Sequence, residues 1–186
     1  MEIKNPKVLI LVLCSRNYLS YISSRKQKKI WKKNFENIQV HHFVGKEYQF
    51  EREVDYISNN QYKYLEINTN DNYENIAKKT LLAFEKISSI CEFDYVFRTN
   101  TSSFIDLKKF RSFILKNIDS LDYSGSVLKA IEGDLIASGA GFFISKENIK
   151  IILDNRKYFD SSLPDDVAIA RLLYKFNIKP KNLIRK

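Results

Sequence analysis

Apolar runs alternate with amphipathic stretches along the chain. Residues 8–13 form a continuous apolar run, the pattern of a parallel strand covered on both faces, and Ser15, Arg16 and Asn17 follow as a polar strand-end loop. The next segment predicts a helix that ends near Trp31, with Ile30 and Trp31 on the buried face and lysines on the solvated one. Ser23 or Ser24 is its expected N-cap. Residues 40–44, ending at Gly45, read as a second strand. Residues 47–60 are polar and irregular, a surface excursion, and residues 62–67 alternate as a short strand. Asn70 or Asp71 then caps a helix over residues 73–88, where Ile76, Thr80, Leu81, Phe84 and Ile87 share one face.

In the second half, residues 93–98 predict a strand that stops in a row of hydroxyl and amide side chains, Thr99 to Ser103. A helix over 107–117 follows, then strands over 122–128 and 140–145 and a helix over 146–155. Pro164, Asp165 and Asp166 open the last helix, whose apolar side is Val167, Ile169, Leu172, Leu173 and Phe176. Acids just after a proline suit a helix N-terminus, because the free amides and the dipole favour negative charge there. Strands alternating with helices imply an α/β sandwich around a mostly parallel sheet. In such folds a polar loop between a strand and a helix is where ligands sit.

Composition narrows the field. The 186 residues suit one domain spanning 1–186, and 5 Gly with 3 Pro leave little room for linkers. A formal charge of +9 invites a nucleic-acid reading, but most of it is lysine, and the dense run from Arg25 to Lys33 fits a solvated helix face. We therefore expect no nucleic-acid partner, while an anionic ligand or peripheral membrane contact remains compatible with the charge. Cys14 and Cys91 lack metal or redox spacing and read as structural thiols. The run ending at Cys14 is too short to cross a bilayer, so we expect no transmembrane segment and a cytoplasmic protein. His41 and His42 are adjacent in a strand, on opposite faces, and suit core or surface roles rather than a metal. Dinucleotide-binding, Walker and nucleophile-elbow motifs are all missing from the sequence.

Several segments, in order, carry a resemblance. They are Arg25-Lys-Gln-Lys-Lys-Ile-Trp31, Phe43-Val-Gly45, Asp71-Asn-Tyr-Glu-Asn-Ile-Ala-Lys-Lys-Thr80, the stretch from Tyr95 to Leu107, Ser138-Gly-Ala-Gly-Phe-Phe-Ile-Ser145 and Pro164-Asp-Asp-Val167. Together they resemble the fringe-like and β-1,3-glycosyltransferases, over nearly the whole chain. The resemblance implies a GT-A-like nucleotide-sugar-binding α/β/α sandwich and transfer of a sugar from a nucleotide-sugar donor, UDP- or GDP-linked, to a glycan or glycolipid acceptor, with inversion.

It also implies roles for particular residues. Asp166, with Asp165 beside it, matches the position of the general base that takes the proton from the acceptor hydroxyl; the residues alone favour a dipole and capping role, and the resemblance reverses that. Ser15, Arg16 and Arg25 fall where the family holds the nucleotide, and either arginine could grip phosphate or simply face solvent. Asn75 and Lys79, a turn apart on one helix face, join the donor set. Asp71 is a cap or a ligand contact. Ser138 to Gly141 would form a tight turn that brings Gly139, Ala140 and Gly141 beside the acceptor, or an ordinary hairpin.

One segment departs from the family. Where its relatives place three acids that bind a divalent metal across the donor's phosphates, this chain has Asn100, Thr101 and Ser102. Amides and hydroxyls are poor anchors for Mn²⁺ or Mg²⁺, so no metal is expected. Arg98, Asn100 and Ser102 would instead meet the donor through hydrogen bonds. Two classes of function follow: a metal-independent glycosyltransferase, or a catalytically inactive carbohydrate- or nucleotide-binding module. The retained Asp165-Asp166 pair favours the enzyme.

Overall fold

The computed structural model describes residues 5–31, 37–47, 64–130 and 133–183. Among them are the strands β1 (Val8–Leu13), β2 (Ile38–Glu47), β3 (Leu65–Asn70), β4 (Tyr95–Asn100), β5 (Tyr123–Lys129), β6 (Leu135–Ser145) and β7 (Lys181–Asn182). The helices are α1 (Tyr18–Ile30), α2 (Ile76–Ile90), α3 (Leu107–Lys116), α4 (Lys146–Asp154) and α5 (Asp165–Tyr174). The strands form one seven-stranded sheet in the order β3-β2-β1-β4-β6-β5-β7. Pairing is parallel from β3 to β4 and again between β5 and β7, and antiparallel on both sides of β6. This is the GT-A-like mixed α/β architecture that the sequence predicts.

The continuous apolar run of β1 is explained by burial on both faces. Val8, Ile10 and Val12 join Trp31 and the α3 residues Leu107, Phe110 and Ile114. Leu9 and Leu11 face the other way, towards Phe84 and Ile87 of α2, Ile149 of α4 and Ile169 of α5. Period-two alternation thus feeds two cores from one strand. Each such side chain contributes roughly 1.5–3 kcal/mol when fully buried.

Several boundaries move. Asn17, not Ser23 or Ser24, caps α1: its backbone is extended and its Oδ1 accepts from the Ser20 amide at 2.8 Å. The helix therefore starts at Tyr18, and both serines lie inside it. Trp31 is buried as expected, but Ile30 is 58% exposed, and the polar Gln27 takes the inward position instead. Asn70 ends β3, and α2 starts only at Ile76, after Asn72 has accepted from the Asn75 amide at 3.1 Å. Asp71 caps nothing because its carboxylate is committed elsewhere. Ser138 to Gly141 lie within β6, which begins at Leu135, rather than in a turn between strands; they form a bulge, because the register against β5 jumps from Gly125–Phe142 to Val127–Ala137. Phe176, expected on the apolar side, lies beyond the end of α5 and is exposed. The excursion expected over 47–60 lies outside the described residues from 48 onward, as do residues 62 and 63 of the strand expected at 62–67.

Gly45 shows how tightly the strand ends are packed. A Cβ there would lie 2.7 Å from Asp71 Cα, Asp71 N and Thr69 O, all backbone atoms. Gly45→Ala should therefore lower the unfolding free energy by about 1–3 kcal/mol, read from denaturant midpoints. An unchanged midpoint would show that β2 and the 69–71 segment can separate freely.

Candidate active site

The order of the sheet fixes where a ligand can enter. From β1 the chain builds outward through β2 and β3, whereas β4 lies on β1's other edge, so the strand order reverses between β1 and β4. Such a switch point opens a crevice at the carboxyl ends of the strands. Leu13 pairs with Asn100, which brings Ser15 and the Asn100–Ser103 loop out of the sheet side by side. The Ser15 amide donates to Ser20 Oγ at 2.9 Å, and that hydroxyl donates to Thr101 Oγ1 at 3.5 Å. The first turn of α1, also here, carries no acid.

The hydroxyl-rich loop is held from α1. Gln27 Nε2 donates to the carbonyls of Thr101 at 3.0 Å and Ser103 at 2.7 Å, and Trp31 Nε1 to that of Ile105 at 2.9 Å. With its amide nitrogen committed, Gln27 Oε1 must accept, so His42 Nε2, at 3.0 Å, carries the proton. That tautomer follows from the hydrogen-bond network. Burial first, then Lys28 and His41, pushes the His42 imidazole down to about 3. Within the loop, Ser102 and Ser103 donate to Asn100 Oδ1 at 2.6 and 3.3 Å. Asp106 caps α3, accepting from the amides of Lys108 and Lys109 at 3.0 and 3.2 Å.

This donor set does not fit a divalent ion. Its oxygens are neutral, Asn100 Oδ1 already accepts two hydroxyls, and Asp106 serves α3. Among the described residues, no three or more His, Cys, Asp or Glu side chains gather to hold one.

The basic residues expected to hold the donor are placed differently from one another. Arg16 is 2% exposed, and its Nε donates to Gly45 O at 2.7 Å and its Nη2 to Glu66 Oε1 at 2.8 Å. Its amide donates to Asp71 Oδ2 at 2.5 Å. Lys79 is 1% exposed and binds Asp71 Oδ1 at 2.6 Å and Cys14 O at 3.2 Å. Both cations thus face inward, into a network that ties the ends of β1, β2 and β3 to α2. Asn75 precedes α2, its Nδ2 on Asn72 Oδ1 at 2.6 Å. Arg25 is exposed on α1, its guanidinium over the Tyr21 ring. Cys14 is buried and its thiol is pushed up to about 12, mainly by desolvation, which suits a structural role.

A second network flanks the loop on the β6 side. Arg98, on β4, pairs with Asp165 Oδ2 at 2.7 Å and donates from Nη1 to the Gly139 carbonyl. Thr80 of α2 donates to the same Asp165 oxygen at 2.8 Å. The Gly139 amide donates to Asp166 Oδ2 at 2.8 Å, and the Val167 amide to Oδ1 at 3.0 Å. Next along β6, the Ala140 carbonyl accepts from Thr99 at 3.0 Å and Ser103 at 3.2 Å. The 139–141 stretch therefore stands between the Asp166 carboxylate and the hydroxyl loop. Asp165 is buried and Asp166 is half-buried. Asp165, Asp166, Arg98 and Gly139 come together, as do Ser15 and the 100–103 loop. Gln27, His42, Trp31 and Thr80 were not singled out for the site from sequence; Gln27 inside a lysine-rich helix was the one visible irregularity.

A mixed α/β sheet whose switch point faces a polar loop, with an acid at the head of a nearby helix, is consistent with a glycosyltransferase of GT-A-like fold. The chain belongs to the galactosyltransferase family, whose model matches residues 21–136, from α1 to the start of β6. Asp165 and Asp166 lie beyond the matched span. No curated protein matches the chain. No helix among the described residues is long and apolar enough to cross a membrane.

His42 supplies a pH test of the loop's anchor. Its folded pKa is below the unfolded 6.5, so the unfolded chain binds the extra proton as pH falls. Stability from this group is whole above about pH 6.5 and drains away towards pH 3. Between pH 7 and pH 5 the loss should be about 2 kcal/mol. Denaturation of His42→Gln should show a pH dependence flatter by that amount; identical slopes would mean that His42 is not buried neutral.

Proposed function

We propose that this family member transfers a sugar from a nucleotide-sugar donor, UDP- or GDP-linked, to a glycan or glycolipid acceptor. It does so with inversion, as the fringe-like enzymes that it resembles do, but without the divalent metal that those relatives bind. The observation that carries the reading is the placement of Asp166. Two backbone amides orient its carboxylate, the side chain stays partly open to solvent, and the adjacent β6 residues touch the loop at the switch point. The donor occupies the crevice between Ser15 and the Asn100–Ser103 loop, where the Thr101 hydroxyl and the start of α1 offer neutral donors to phosphate oxygens. The acceptor enters along Gly139–Gly141, and Asp166 takes the proton from its attacking hydroxyl. As the acceptor oxygen bonds to the anomeric carbon, the bond to the diphosphate breaks and its electrons leave with the nucleotide.

One observation supports the second reading, a binding module without turnover. Arg16 and Lys79, two of the cations expected among the donor contacts, are both engaged inside the protein.

The two readings separate in one experiment, hydrolysis and transfer of UDP- and GDP-sugars by wild type and Asp166→Asn, with and without EDTA. The expected result is activity insensitive to EDTA and reduced roughly 10²–10⁴-fold by Asp166→Asn. Saturable sugar-nucleotide binding with no turnover would establish the binding module instead, and loss of activity with EDTA would overturn metal independence.

A further inference from the structure

Arg98 was expected among the donor contacts, but its surroundings give it different work. It is 3% exposed, on the last full turn of pleat before the hydroxyl loop. Its two terminal nitrogens are divided, one on Asp165 Oδ2 and one on the Gly139 carbonyl. Gly139 uses its other polar group, the amide, on Asp166 Oδ2. Because Asp165 and Asp166 are neighbours at the head of α5, these contacts close a ring that runs from Arg98 to Gly139, to Asp166, to Asp165 and back. The ring joins β4, β6 and α5, and Thr80 braces it from α2.

We propose that Arg98 is a positioning residue for Asp166, acting through the Gly139 peptide, and is not a ligand of the donor diphosphate. This rests on the reading of Asp166 as the base. The two acids then divide the work: Asp165 is the buried counter-ion that fixes the guanidinium, and Asp166 is left partly exposed to meet the acceptor. Arginine is needed because a fork reaches two acceptors at once, whereas an ammonium is a single compact charge. The protein tolerates a penalty for this choice, since Arg98 Nε is buried without a partner. A lysine would avoid that penalty and still neutralise Asp165, but would release the Gly139 carbonyl. Gly139 itself is constrained, because a Cβ would lie 3.1 Å from Asp166 Oδ2 and 3.5 Å from Arg98 Nη1, displacing the carboxylate by a few tenths of an ångström.

The test compares wild type, Arg98→Lys, Gly139→Ala and Asp166→Asn by two readouts. The first needs no substrate: an amide bonded to a carboxylate shifts as that carboxylate titrates, so the Gly139 amide proton should follow Asp166. Arg98 of β4, Asp165 of α5 and the Tyr123 phenol of β5 also bear on that carboxylate, and Asp166→Asn isolates its own contribution. The second readout is kcat and KM with UDP-galactose, with calorimetric Kd for UDP. Arg98→Lys should stay folded, lose most of the Gly139 titration shift, and drop kcat by roughly tenfold to a hundredfold with KM and Kd unchanged. Gly139→Ala, which leaves the ion pair in place, should lower kcat in the same way. An unaltered Gly139 amide in Arg98→Lys overturns the proposal, as does a raised KM or Kd with kcat intact, which would make Arg98 a diphosphate ligand. If Asp166→Asn keeps full kcat while Arg98→Lys still frees the amide, the base assignment falls, and the ring is architecture alone.

Discussion

The side chain of Asp71 is fully buried where three parallel strands end, and the neighbouring architecture is arranged to keep it charged there. An ionised carboxylate removed from water costs several kcal/mol unless it is paired and hydrogen-bonded. Lys79 pairs with it, and the amides of Arg16 and Gly45 complete its shell. Those partners come from α2, from the turn after β1 and from β2, so satisfying one charge fixes three chain segments together. The consequence propagates. Once the turn after β1 is fixed, α1 must start at Tyr18. Gln27 and Trp31 on that helix then reach the backbone of residues 101–105. The polar loop at the switch point is therefore held in place by a carboxylate with which it shares no bond.

Asp165 repeats the arrangement on the other side of β4, with Arg98 as its cation and Thr80 as its second donor. Neither pair is an obvious source of stability. Well-packed apolar replacements of buried ion pairs are often neutral or stabilising, while removing one partner costs about 3–5 kcal/mol. What such pairs supply is direction: a guanidinium or carboxylate accepts few geometries. Both pairs lie at the strand ends that border the crevice, where position matters to chemistry.

How much of this the sequence discloses depends on the range of the interaction. The apolar run of β1, the patterning of α3 and the proline-acid start of α5 are local signals, and each element lies within a few residues of its expected place. The N-terminus of α1 is also local, yet Ser23 and Ser24, nearly two turns further on, offer the same capping chemistry as Asn17, and the structure places both inside the helix, with Ser24 buried. Ser138-Gly-Ala-Gly141 suggests a turn because glycines permit one; the chain instead uses that freedom for a bulge inside β6, where only Gly141 of the four pairs with β4. The site is less legible. Arg16 meets Glu66 across 50 positions and Arg98 meets Gly139 across 41, and nothing in the flanking residues announces either partner. Arginines and lysines beside a predicted ligand loop look like phosphate ligands until their acids are located.

Locating those acids bears on the proposal that Asn100, Thr101 and Ser102 serve a donor without a metal. Three cations near the crevice, Arg16, Lys79 and Arg98, are already matched by Glu66, Asp71 and Asp165. The layer beneath the crevice is therefore close to neutral, with no surplus charge to offset further carboxylates. In a metal-free reaction, acids at 100–102 would face the donor's diphosphate directly, each repelling it by about 4 kcal/mol per unit charge at 4 Å under an effective dielectric near 20. Replacing them with an amide and two hydroxyls removes that repulsion and substitutes groups that can donate to phosphate oxygens. Under the proposed metal-free reaction, absent acids and an absent metal go together, since either alone would leave the site with the wrong charge. The chain's formal +9 acts from further out. It would draw the proposed anionic donor towards the crevice without touching it, and salt should screen that attraction while leaving the buried pairs intact.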